Sequence, residues 1–193
     1  MKILRALFLF TAIFSAGAVG VGGGVLSAGA QEAAAPRLME THRDWQVYQY
    51  RNGETHLCYV HAVPRSKSPR NVERGQVFFT VTHRSGGVRN EISLRAGYPF
   101  SDQSKPFVEV DGRRFAFYTG VEEGAFTGAA EDEERAHWAW VRAPEEEAQL
   151  VDAMKQGNEM IVKGRSQRGT VTTDRYSLLG FTKAMEHIDG LCS

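Results

Sequence analysis

The chain is punctuated by short runs of alternating apolar and polar residues, each closed by residues that reverse its direction. Asn52-Gly53 and Asp111-Gly112 supply the positive φ angles of a two-residue hairpin turn, and Ser85-Gly86-Gly87 supplies a longer one. A chain that turns back this often has no room for the long crossovers that parallel strands need, so its strands pair antiparallel. The first pair is Trp45, Val47 and Gln49 on one strand face, followed by residues 55–62. A second joins residues 76–82, rich in β-branched and aromatic residues, to residues 88–95, where Ile92 and Leu94 alternate with polar neighbours. A third joins 106–110 to 113–119, with Phe115 and Phe117 sharing a face. Strands are also expected at 136–141, 159–165 and 170–178. Helix signals occur twice: Pro144 followed by acids and the stripe Ala148, Val151, Met154 before Gly157, and a short final helix over 181–187. The expected fold is mainly β, an antiparallel β-sandwich with one or two short helices; closure into a barrel is the alternative.

The amino terminus constrains the compartment. Lys2 and Arg5 precede an almost wholly apolar run over residues 6–14, and Ala28-Gly29-Ala30 is an A-x-A cleavage site, so residues 1–30 are expected to be a signal peptide cut after Ala30. A retained membrane anchor is the competing reading, disfavoured by the short apolar core and by five glycines between positions 17 and 24. Residues 31–43 read as a flexible leader and residues 44–193 as a single domain. Removing the signal leaves 21 basic and 23 acidic residues, and this balance gives no reason to expect nucleic acid as a partner. The proline-containing, basic segment 64–74 reads as a solvated loop, and the acidic segment 120–135 as a mobile one.

Cys58 and Cys192 are the only cysteines. In an exported chain they are expected to form a disulfide, with two unpaired thiols as the alternative.

Few constellations suggest chemistry. His56-x-Cys58-x-x-His61 has metal-ligand residue types, but strand alternation turns His61 away from the other two, and an oxidised Cys58 cannot ligate. The acids at 131–134 lack the spacing of a calcium loop. No nucleophile elbow, zinc-protease or reactive-cysteine motif is present, so no catalytic residue, metal or cofactor is assigned. The aromatics Phe78, Phe79, Phe115, Phe117, Trp138 and Trp140 read first as core. Phe78 and Phe79 are adjacent, so one ring must leave the face that holds the other, and this pair is the candidate binding surface.

The order of these elements resembles one family. Trp45-x-Val47, the strand bearing Cys58, the central hairpins, the helix before Gly157 and the ending Leu178-Leu179-Gly180-Phe181-x-x-Ala184 are together similar to the invasion-associated locus B family, from about Trp45 onward. The resemblance implies an exported protein of Gram-negative bacteria, periplasmic or associated with the outer membrane and possibly secreted, in a family named for host-cell invasion. No catalytic residue is carried over with it. Gln49 stands where relatives often have Cys, and Val121-Glu122-Glu123-Gly124-Ala125 replaces a Cys-x-x-x-Gly-Cys segment, which leaves Cys58 and Cys192 as the one available pair. The expected function is binding, without catalysis, of an envelope or host-surface component. A periplasmic hydrolase with a dispersed site and a small-ligand carrier are the alternatives; the carrier requires a closed apolar cavity.

Overall fold

The computed structural model describes residues 35–103, 105–122 and 130–192. The expected signal peptide, its expected cleavage point and the first residues of the expected leader lie outside the described residues.

Two antiparallel sheets form the body. The larger has the order β1 (Arg37–His42), β2 (Trp45–Asn52), β3 (Thr55–Ala62), β5 (Phe78–Arg84), β6 (Val88–Arg95), β10 (Trp138–Trp140), β9 (Tyr118–Thr119). The smaller has the order β4 (Ser66–Ser68), β12 (Val171–Ser177), β11 (Glu159–Arg165), β7 (Phe107–Val110), β8 (Arg113–Ala116). The two-residue period of each strand gives the larger sheet a dry inner face of Trp45, Val47, Cys58, Val60, Phe79, Val81, Ile92 and Leu94, none more than 2% exposed. Val108, Val110, Met160, Val162 and Tyr176 of the smaller sheet are buried in the same core. The sheets meet where Phe79 and Tyr176 pack edge to face at 6.1 Å and the Trp45 indole donates to the carbonyl of Ser177 at 3.0 Å. Such tightly buried rings contribute about 2–3 kcal/mol each through apolar burial.

Five short strands cannot cover a seven-stranded face. Two helices complete the cover: α2 (Pro144–Gln156) through Leu150, Val151 and Met154, and α3 (Phe181–Leu191) through Phe181, Ala184, Met185 and Ile188. Helix α2 also closes a gap in the ladder. The β10 pairing ends at Trp140 opposite Ser93, and the Ile92 N–H beyond it donates to the Glu147 carboxylate at 2.9 Å. Burial pushes the Glu147 pKa up, and this hydrogen bond opposes the shift.

Helix α3 is held at both ends. At its start, Gly180 takes φ 92°, and a Cβ there would collide with the carbonyl oxygen of His42 in the β1–β2 turn. At its end, Cys192 is bonded to Cys58 on β3, with Cα atoms 5.9 Å apart across 134 residues of sequence. Closing so long a loop stabilises the fold by about 5 kcal/mol in the chain-entropy model. The Gly180-Phe181-x-x-Ala184 ending thus has a packing explanation. Glycine admits the turn, Phe181 packs against Trp45 with ring centroids 4.7 Å apart at 60°, and Ala184 is fully buried.

Four expectations are corrected. Residues 37–42 of the expected leader form β1, an edge strand whose largely exposed side chains carry no apolar alternation. Within the expected basic loop, Ser66–Ser68 pair with β12, and Arg74 is buried in a bidentate pair with Asp174 at 2.6 and 2.7 Å. Within the expected acidic loop, Ala130–Arg135 form a helix, α1. The final helix extends to Leu191. The sheets end in separate edges and do not close into a barrel. Among the described residues no helix is long and apolar enough to cross a membrane.

Gly180 and Gly53 separate strain from collision, because Gly53 has φ 56° with nothing within 4 Å of an added Cβ. Gly53→Ala should cost about 1–2 kcal/mol, the left-handed penalty alone. Gly180→Ala should cost more than about 3 kcal/mol in urea unfolding of residues 31–193. Equal costs would contradict the packing assigned to the α3 start.

Candidate functional site

Among the described residues, the larger sheet has a second face that neither the smaller sheet nor α2 and α3 cover. On it, the pairing registers place Tyr48 beside Tyr59, His61 beside Thr80, Thr80 beside Ser93, and Ser93 beside Trp140, which in turn pairs with Tyr118. The side chains therefore sort by strand. Large rings stand on β2–β3 and on β9–β10, while β5 and β6 between them carry Thr80, Thr82 and Ser93, with Phe78 at one end of β5. The result is a trough of about 730 Å³ with aromatic banks and a hydroxyl floor.

Aromatic contacts make the banks continuous. Tyr48 and Tyr59 stack at 5.2 Å on one side, and Trp138 and Trp140 lie parallel at 6.3 Å on the other. Phe78 bridges the banks at one end, 5.0 Å from His61 and 5.3 Å from Trp138. The opposite end holds the ion pair of Arg84 and Glu91, joined by two hydrogen bonds. The Thr80 and Ser93 hydroxyls bond each other at 2.7 Å on the floor.

The bank bearing Trp138 is fixed from outside. Glu134 accepts the Trp138 indole N–H at 3.1 Å and a bidentate pair from Arg95, and these bonds, the Arg95 one first, hold its carboxyl down to about 2. Its charge is retained through ordinary acidic conditions. Burial lowers the pKa of His61 and so favours its neutral ring.

Phe78 lies half-buried in the trough, whereas Phe79 is fully buried in the core and offers no binding surface. Trp138 and Trp140 are not core residues. The small residue between them, Ala139, faces inward at 0% exposure and the indoles face outward. The outward ring expected of the Phe78–Phe79 pair thus belongs to a larger aromatic set.

Other constellations are engaged structurally. Cys58 and Cys192 form a disulfide, and His56 lies beside it, its Nε2 3.6 and 3.4 Å from the two sulfurs and 3.0 Å from Gln49 Nε2. His61 faces the opposite side of β3, so the three residues of the metal-like motif do not converge. Buried His83 accepts the Asn90 N–H on Nδ1, so its Nε2 carries the proton shared with Asp189 at 2.8 Å, and neither nitrogen is left to activate a nucleophile. A second cleft, of about 550 Å³, is lined by Arg74, Tyr98, His137 and Thr172. There Arg74 is spent on Asp174 and the Ala96 carbonyl, and Tyr98 bonds Thr172 at 2.6 Å. The space between the sheets that a carrier would keep open is filled by Trp45, Phe79, Phe117 and Tyr176.

Truncating the two adjacent rings tests this division of faces. Phe79→Ala should cost about 3–5 kcal/mol by opening a core cavity, and Phe78→Ala less than about 1.5 kcal/mol, in urea unfolding. The reverse ranking would contradict the assignment of Phe78 to the trough.

No curated protein matches the chain in sequence. A family model described as Invasion associated locus B (IalB) protein matches residues 45–189, from the first residue of β2 to within three residues of Cys192. The match spans the larger sheet from β2 onward, α2, the Gly180-Phe181 turn and most of α3, and the chain belongs to the invasion-associated locus B family.

Proposed function

We propose that the protein is exported, cleaved after Ala30, and acts without catalysis in the periplasm or at the outer membrane by binding a saccharide-bearing component of the envelope or of a host surface. The observation that carries this reading is the trough on the uncovered sheet face. A sugar ring presents apolar C–H faces and a rim of hydroxyl groups. The banks of Tyr48, Tyr59, Trp138 and Trp140 suit the first by dispersion, and Thr80, Thr82, Ser93 and the Arg84–Glu91 pair suit the second by hydrogen bonding. The volume falls within the ordinary range of ligand sites, which is roughly 300–1,000 Å³. The family, the exported character of the amino terminus and the engaged state of the candidate catalytic groups support the same reading.

Intrinsic fluorescence tests it directly, because two of the three tryptophans line the trough and the third, Trp45, is buried. Titrating the signal-free protein with oligosaccharides released from lipopolysaccharide, from peptidoglycan or from host-type glycans should give a saturable emission change with at least one class. Trp140→Ala should weaken that binding tenfold or more while leaving the unfolding midpoint nearly unchanged. The reading fails if no class gives a saturable change or if Trp140→Ala binds as well as wild type. Cleavage of the bound oligosaccharide, abolished by a single substitution, would contradict the noncatalytic part.

A further inference from the structure

We infer that Glu40, His42 and His187 form a binding site for one divalent first-row metal ion, with zinc as the best-matched ion. The site lies where the β1–β2 turn meets α3 and shares no residue with the trough. Glu40 and His42 stand two residues apart on β1 and so project to the same side, while His187 reaches them from α3 across 145 residues of sequence.

Three donor atoms converge there. His42 Nε2 is 3.3 Å from His187 Nδ1 and 3.5 Å from Glu40 Oε2, and His187 Nδ1 is 3.1 Å from the same oxygen. Donors around a tetrahedral zinc ion at 2.0–2.1 Å stand roughly 3.3 Å apart, so the three distances are close to the three edges of one tetrahedral face. The circle through the three atoms has a radius of about 1.9 Å, which places an ion at bonding distance from each less than about 1 Å out of their plane. The imidazole rings lie 5.6 Å apart at 70°, so the nitrogens meet while the rings diverge. Two imidazoles and a carboxylate are a donor set that zinc accepts, leaving one position for water or for a donor from a partner.

The donors are positioned by the fold. The carbonyl of His42 packs against Gly180, Asp44 N–H donates to the Leu179 carbonyl at 3.3 Å, and the disulfide fixes the other end of α3. The His42 and His187 side chains are 16% and 26% exposed, and Glu40 is 54% exposed, so the histidines are held and the carboxylate side is open to an entering ion. Glu40 and His42 precede the span matched by the family model, and His187 lies within it.

The test uses the oxidised, untagged, signal-free protein stripped of metal, titrated with zinc against a chromophoric chelator. One equivalent should bind. His42→Ala and His187→Ala should each weaken binding roughly a hundredfold or more and Glu40→Gln roughly tenfold, since loss of a donor exceeds the effect of losing its supporting contacts. Zinc should raise the melting temperature of wild type and not of these variants. Circular dichroism checks each variant's fold, and Glu40→Gln alters only an exposed edge-strand side chain. His56→Ala should leave zinc affinity unchanged. Failure of the wild-type protein to bind zinc, or unchanged binding by the His42→Ala/His187→Ala double variant, would overturn the assignment.

Discussion

The bond between Cys58 and Cys192 decides how the larger sheet is covered. Its seven strands present more inner surface than the five strands opposite can bury, and α3 fills part of the shortfall by laying Phe181, Ala184, Met185 and Ile188 on β2 and β3. An eleven-residue helix is marginal by itself and gains its stability from packing. The disulfide removes its freedom to leave. Its other attachments act along its length, with Gly180 seated against the β1–β2 turn at one end and Asp189 bonded to buried His83 near the other.

This one-sided covering gives the molecule two unlike sheet faces. The inner face is dry and committed to two sheets and two helices. The outer face carries rings and hydroxyls in a pattern that the pairing registers impose, with rings on the flanking strands, Thr80, Thr82 and Ser93 between them, and Phe78 and the Arg84–Glu91 pair at the two ends. Such a trough does not arise from burial, because its rings would be better sequestered inside. Instead Ala139 is buried and its two tryptophan neighbours are left outside, with Trp138 anchored by Glu134. That arrangement is the observation on which the proposed binding role rests.

Much of the fold is legible in the sequence because turn chemistry and alternation act locally. Asn52-Gly53, Asp111-Gly112 and the Pro144 helix start each specify their element within a few residues. What escapes local reading has non-local causes. Strand β1 has no buried face to impose alternation, and β4 is too short to show a period. Alternation at Trp138-Ala139-Trp140 fixes which residues share a side but not which side is inward, so the tryptophans read as core. Arg74 looks like part of a solvated basic run until Asp174, 100 residues away, is brought beside it. One signal was available there: Asp174 alternates with Thr172 and Tyr176 on the buried side of β12, where a carboxylate demands a cation. The meeting of His42 with His187 had no such signal. Of the Phe78–Phe79 pair, the sequence requires one outward ring, and only the register identifies it as Phe78.

The central claim is that the Cys58–Cys192 bond holds α3 on the inner face while the hairpin of β5 and β6, which forms the floor of the trough, stands without it. Amide hydrogen exchange of the signal-free protein, followed by mass spectrometry before and after mild reduction, measures this directly. Reduction should speed exchange in residues 181–191 and in the facing parts of β2 and β3, with residues 78–95 retaining most of their protection. Unchanged protection of α3 after complete reduction would contradict the account.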